Sequence, residues 1–269
     1  MLTADSADRK NTFRVAFMTG ASLLVMGYVN GMAQNTYDLG VMITPQTGNV
    51  IWMGLNAASG YWGLFFENLS LFFGFMSGAV LALYTQNVFK GRLNQARYNW
   101  TVFSLPVMLY FVVLQYFAPS FLSYFLLGIA MGAALGFFRK MYHMEINNAM
   151  ATGNVRFLGI HFAGAFIKKN KKEVATFWVF FTCVFLFGFG AFLYATMAQL
   201  DYNLGINGSG YVIGLGDPEA RLFRQTFGLG EDRIKEASSN IARVIGALVI
   251  CIVPYFFCPK NAVAEAEQK

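Results

Sequence analysis

Residues Met26–Ala58 read MGYVNGMAQNTYDLGVMITPQTGNVIWMGLNAA, and residues Met131–Ala163 read MGAALGFFRKMYHMEINNAMATGNVRFLGIHFA. Laid over one another at an offset of 105 residues, without a gap, the two stretches agree at ten of 33 positions. The matches are Met26/Met131, Gly27/Gly132, Gly31/Gly136, Tyr37/Tyr142, Thr47-Gly48-Asn49-Val50 against Thr152-Gly153-Asn154-Val155, Gly54/Gly159 and Ala58/Ala163. A fixed-offset match of this length is an internal repeat, and it must be read before any single motif. Gly27-xxx-Gly31 and Gly132-xxx-Gly136 have the spacing at which small residues let two helices approach closely in lipid. The Thr-Gly-Asn triplets are of another kind. Gly and Asn are poor helix formers, and an Asn amide placed in hydrocarbon is costly without a partner. Two such triplets at equivalent places therefore meet something polar, which is either a wet cavity or an amide network that only locks the bundle.

The setting of the repeat is apolar. Of 269 residues 56% are hydrophobic, 17% aromatic and 13% charged, against about 25% charged in soluble domains. Asp38 is the only charged residue from Val15 to Phe66, and Tyr98 to Phe138 contains none. A bilayer span needs about 20 mostly apolar residues, so the chain crosses a membrane several times. This composition excludes a soluble enzyme, a disulfide-stapled secreted domain and a nucleic-acid binder. The net charge of +6 is that of a membrane protein whose basic residues collect on one face. Cys183, Cys251 and Cys258 lie in apolar stretches, at a spacing that fits neither zinc nor a disulfide framework, and read as buried thiols. The polar residues 1–14 precede a long apolar segment without a cleavage site, so they read as a tail before a retained first span.

Apolar spans fall at 15–36, 66–89, 100–118, 120–138, 174–199 and 238–258, with Pro119-Ser120 as the turn between the third and fourth. Two further segments, 41–60 and 145–166, are apolar but broken by Pro, Gly, Thr, Asn and Gln. The basic residues decide whether these two cross. With eight crossings, Lys90, Arg92, Arg97, Arg139 and Lys140 fall outside, against the positive-inside rule. With both segments re-entrant, fourteen of the twenty basic residues lie inside. Each repeat then holds three true spans, an odd number, so the second is inverted relative to the first, an architecture that recurs in transporters. The expected fold is an all-α integral membrane protein of two inverted-topology repeats, with about six spanning helices and two re-entrant Thr-Gly-Asn segments. Its parts are a cytoplasmic N-terminal tail (1–14), repeat 1 (15–118), repeat 2 (119–258) with an extracytoplasmic loop at 200–237, and a cytoplasmic C-terminal tail (259–269). In that loop Asp217-Pro218-Glu219 signals the start of a short helix.

Gly27-Tyr28-Val29-Asn30-Gly31, followed by Gln46-Thr47-Gly48-Asn49-Val50, and their echo at Met131-Gly132 and Ala151–Val155, resemble the YoaK-type family of bacterial membrane proteins, a domain of unknown function. The resemblance spans residues 13–258 and implies the multi-pass architecture; the family brings no biochemical activity to transfer. Members usually carry Asp where this chain has Asn30, so coupling through an acid at that position is not expected here, and the 200–237 loop looks like an insertion.

Ionisable groups inside a membrane are functional suspects by default. Asp38 and Glu67 read as span-boundary residues, and Arg139, His143 and Glu145 as anchors at the cytoplasmic face. Arg156 stands directly after the second triplet, where the first repeat has Ile51; it either faces a cavity or snorkels to headgroups. His161 replaces Asn56. No nucleophile–base pair, acid pair or metal-ligand cluster emerges, so the chain is not read as an enzyme and no cofactor is expected. The leading expectation is a transporter or channel for a small polar or anionic solute. Its binding residues would be Asn30, Gln46, Thr47, Gly48, Asn49, Thr152, Gly153, Asn154 and Arg156. The partners are then the lipid bilayer of the cell membrane and that solute, with no nucleic acid and with room for homo-oligomerisation. The alternative is a non-transporting scaffold or accessory protein.

Overall fold

In hydrocarbon the backbone has only itself to bond to, so long apolar runs become helices that satisfy every interior N–H and C=O internally. The computed structural model describes residues 2–36, 43–88, 95–114, 120–142, 144–146, 151–203 and 241–258, and of residues 2–11, 34–36, 151–152, 199 and 202–203 only the backbone. In chain order the helices are α1 (Leu2–Thr36), α2 (Gln46–Ala58), α3 (Trp62–Val88), α4 (Gln95–Leu109), α5 (Ser120–Phe137), α6 (Ala151–Phe162), α7 (Lys171–Asn203) and α8 (Ile241–Phe257). Wider π-helical turns extend α4 over Tyr110–Leu114 and α6 over Ala163–Ile167. Among the described residues Thr12–Ala33, Trp62–Val88, Ser120–Phe137 and Lys171–Ala198 are long and apolar enough to cross a bilayer. They mark the chain as a helical membrane protein. Phe73, Val80 and Leu83 on α3, and Trp178, Phe185 and Phe192 on α7, are all exposed. Apolar surface of that extent on a helix is a lipid-facing surface.

Some boundaries differ from the sequence reading. α3 begins at Trp62 and not near residue 66, because the chain reverses in a tight turn directly after α2. Gly60 takes the left-handed conformation (φ 77°), and the Tyr61 N–H bonds back to the Asn56 carbonyl at 2.8 Å. The span expected at 174–199 runs from Lys171 to Asn203. α1 starts at Leu2, so its helix includes most of the polar N-terminal tail. A short hairpin was not expected: Lys140–Met141 pairs antiparallel with Met144–Glu145, and the Thr19 hydroxyl on α1 donates to the Lys140 carbonyl at 2.6 Å. The Pro119 turn, Asp38, His143 and nearly all of the 200–237 loop, including 217–219, lie outside the described residues.

Two helix pairs form the frame, α1 with α7 and α3 with α5. Both use glycine to bring backbones together. A Cβ on Gly78 would strike the Ile129 carbonyl and the Ala133 nitrogen, and one on Gly190 the Leu24 carbonyl and the Tyr28 nitrogen. Ile129 and Ala133 stand 105 residues after Leu24 and Tyr28, and Gly190 stands 112 after Gly78. Gly132 likewise faces the backbone of Phe75, while Gly27 faces that of Phe187, again 112 residues on. The same contacts are thus made twice. The change of offset, from 105 to 112, falls in the longer π-turned connection between α6 and α7.

Contacts at the helix ends give the directions. At one end Phe17 meets Phe257, and the Cys258 thiol lies 3.6 Å from the Met18 sulfur and 3.9 Å from the Ala96 carbonyl. At the other, the Tyr28 hydroxyl donates to the Arg243 carbonyl at 2.6 Å, and the Tyr28 ring meets those of Phe111 and Tyr194. α1, α4 and α7 therefore run one way. α8 runs against them. So do α5, whose Ser123 bonds to Leu114 of the α4 extension, and α3, whose Gln86 bonds to Gly136 at the far end of α5. All three cysteines are free and buried, as the sequence suggested.

Gly78→Ala and Gly190→Ala each push a methyl into backbone and should lower stability by about 1–3 kcal/mol. Gly54→Ala and Gly159→Ala, whose Cβ positions meet nothing within 4 Å, should leave it unchanged or raise it. Thermal unfolding of the four variants in detergent checks the contrast.

Candidate functional site

Both Thr-Gly-Asn triplets sit in the first turn of a short helix, α2 or α6. There the leading N–H groups lack intrahelical acceptors and the helix dipole is positive. Pro45, at φ −80°, sets the start of α2, and the Gly48 N–H bonds to its carbonyl at 3.1 Å. Asn49 is 0% exposed and Asn154 1%, while the residues that follow them, Val50 and Val155, are each 50% exposed. Each of these short helices thus turns its amide inward and the valine that follows outward.

Around the first triplet the polar contacts form a chain. The Asn30 amide on α1 donates to the Met26 carbonyl at 2.8 Å and to the Thr44 hydroxyl at 3.0 Å, and its oxygen accepts from the Thr44 N–H at 3.4 Å. Gln46 donates to the Ile43 carbonyl at 3.2 Å and accepts from the Asn49 amide at 3.2 Å. Asn30, Gln46 and Asn49 of the expected site are therefore linked to the entry of α2. Thr44, which is fully buried, was missed. The Asx-like pairing of Asn30 with a Thr fourteen residues on leaves no periodic signal. Thr47 is exposed and Gly48 half-buried.

In the second repeat Gly153 is half-buried and Arg156 exposed; the Thr152 side chain lies outside the described residues. His161, at the position of Asn56, donates through Nδ1 to the Glu173 carboxylate of α7. Its ring lies nearly parallel to that of Phe180, 5.4 Å away. Glu67, near the start of α3, accepts from the Ser120 hydroxyl at the start of α5. Among the described residues no three His, Cys, Asp or Glu side chains gather where a metal could bind.

One charged cluster was not anticipated. Asp201, near the end of α7, is fully buried. Its carboxylate accepts from the N–H groups of Ala242 (2.7 Å) and Arg243 (3.3 Å) and from Arg243 Nε at 2.9 Å. Arg243 also reaches the Tyr194 hydroxyl at 3.4 Å. Asp201 thereby caps the start of α8 and fixes both ends of the segment between the two helices. In sequence these two residues merge with the alternating charges of that segment; the signal was an acid closing one apolar run and a base opening the next.

Asp201→Ala would leave a largely buried guanidinium and two N–H groups without their acceptor, and should cost about 3 kcal/mol. Asn30→Ala removes a neutral hydrogen-bonded amide and should cost about 1–2 kcal/mol. Paired denaturation curves rank the two losses, and a smaller loss for Asp201→Ala would contradict the clasp.

No curated protein and no solved structure matches the chain. One family does: DUF1275, described as protein of unknown function, matches residues 15–209 and so takes in both Thr-Gly-Asn helices and the frame that carries them. The chain belongs to the DUF1275 family.

Proposed function

We propose that the protein is a transporter or channel of the cell membrane for a small polar or anionic solute, built from two repeats of inverted topology. In this reading α2 and α6 are re-entrant half-helices that enter from opposite faces, and six other helices span, with both termini in the cytoplasm. The directions of the helices support it. α1 and α4 run the same way, as they must if α2 returns to the face it entered from, and α5 runs against α1, its counterpart in the first repeat. The duplicated glycine contacts support the repeat itself.

The observation that carries the function is the pair Asn49 and Asn154, wholly buried in the first turns of the two half-helices. An amide held in a membrane interior beside unsatisfied N–H groups and a positive dipole end attracts polar or negatively charged groups. Gly48 and Gly153 let backbone approach that group, and Asn30, Gln46 and Thr44 hold the first half-helix in place. Thr47, Thr152 and Arg156 belong to the same proposed site, with Arg156 adding a positive charge that the first repeat lacks. Helix packing alone would not require an Asn in either first turn.

In proteoliposomes screened with small anions and neutral polar metabolites, the wild-type chain should carry at least one solute. Asn49→Ala and Asn154→Ala should each reduce that flux at least tenfold while the melting temperature stays within a few degrees. If no solute moves, and both substitutions only destabilise the protein, the triplets lock a scaffold and the transport reading fails.

A further inference from the structure

We propose that His161 and Glu173 form a proton-binding latch that ties the half-helix α6 to the start of α7 and makes its seating depend on pH. The inference uses the half-helix reading of α6 but not transport. Three observations carry it. First, the pair joins the two elements directly: His161 Nδ1 donates to the Glu173 carboxylate, and a Cβ on Gly164 would also meet the Glu173 side chain. Second, the imidazole belongs to a group of three stacked rings: it lies 5° from parallel with Phe180 at 5.4 Å and 23° from parallel with Phe157 at 6.5 Å, and Phe157 lies 22° from parallel with Phe180 at 5.2 Å. Turning the ring away would give up its stacking on Phe180. Third, the latch exists in one repeat only. The first half-helix has Asn56 at the equivalent place, a group that does not titrate, and its buried Nδ2 finds no partner among the described residues.

Histidine is the side chain whose charge changes between pH 5 and 8. With the ring protonated, the contact to Glu173 is an ion pair reinforced by a hydrogen bond; with the ring neutral, only the hydrogen bond is left. The side-chain exposures of 21% for His161 and 33% for Glu173 give the proton a way in. Other charged groups lie on α6, on α7 and their connection, on the hairpin and on α1. They are Lys171 and Lys172 on α7, Lys168 and Lys169 in the connection, Arg156 on α6, Arg139, Lys140 and Glu145 at the hairpin, and Arg14 on α1. All of these side chains are exposed. Glu173 is the acid in contact with the ring.

Hydrogen exchange of the full-length protein in lipid, corrected for the intrinsic pH dependence of exchange, tests the latch. Protection over 151–167 should fall about fivefold between pH 5.5 and 8, the size expected for losing one partly exposed ion pair. Glu173→Gln should abolish that dependence, and so should His161→Asn, which installs the residue of the first repeat. Residues 46–58 serve as the internal control and should show no such dependence in any of the three proteins. The latch is overturned if protection over 151–167 is independent of pH in the wild type, or if both variants keep the wild-type profile. A variant that misfolds would lose protection over 46–58 as well, and the other variant then decides. Absence of flux for every solute would sink the transport reading and leave this result standing.

Discussion

A helix that begins inside a membrane carries N–H groups that no carbonyl of its own can accept, and no water stands ready to replace one. α2 and α6 are both such helices in the proposed topology, and much of the surrounding sequence answers that constraint. Pro45 and Gln46 precede the first triplet, and the Pro45 carbonyl takes the Gly48 N–H. The side chains of Gln46 and Asn49 bond to one another, and the segment leading into α2 is held to α1 by the two-way pairing of Asn30 with Thr44. Val50, Ile51 and Leu55 of α2 and Val155 and Ile160 of α6 are exposed, while Asn49 and Asn154 face protein.

Such half-helices need a rigid frame. Between lipid-solvated helices there is little hydrophobic drive, and association rests on close packing and hydrogen bonds. Gly27 and Gly31 on α1, Gly74 and Gly78 on α3, Gly128 and Gly132 on α5 and Gly190 on α7 supply the close packing, meeting backbone of the partner helix. Because the pairs α1/α7 and α3/α5 use equivalent residues, one mode of packing serves both halves. The asymmetry lies elsewhere. Tyr28 and Tyr194 fill the first interface with an edge-to-face pair at 5.2 Å, whereas the equivalent residues of the second are Ala133 and Ala82. Arg243 and Asp201 are added beside the tyrosines, and His161 and Glu173 beside the second half-helix.

The repeat, the helical class and the special position of the triplets were legible in the sequence because each is a local pattern: identity at fixed offset, length of apolar run, and polar residues where apolar ones belong. Burial of Asn49 and Asn154 follows the same logic. Contacts between distant residues were not legible. Thr44 with Asn30, Asp201 with Arg243 and His161 with Glu173 each join elements whose angle of approach no periodicity encodes. Glu173 illustrates the difficulty, since it follows four lysines within six residues and reads as one more surface charge. The Lys140–Glu145 hairpin escaped for a similar reason, being too short to show alternation.

The length of α2 has a further consequence. Thirteen residues at 1.5 Å each rise about 20 Å, while the hydrocarbon core is about 30 Å thick. In the proposed topology, acyl chains lying against Val50, Ile51 and Leu55 would therefore run out of helix before they reach the opposite leaflet. Such a step in apolar height is relieved when the bilayer thins around it. In that topology membrane thickness, set by acyl length, becomes a variable that acts on the seating of both half-helices.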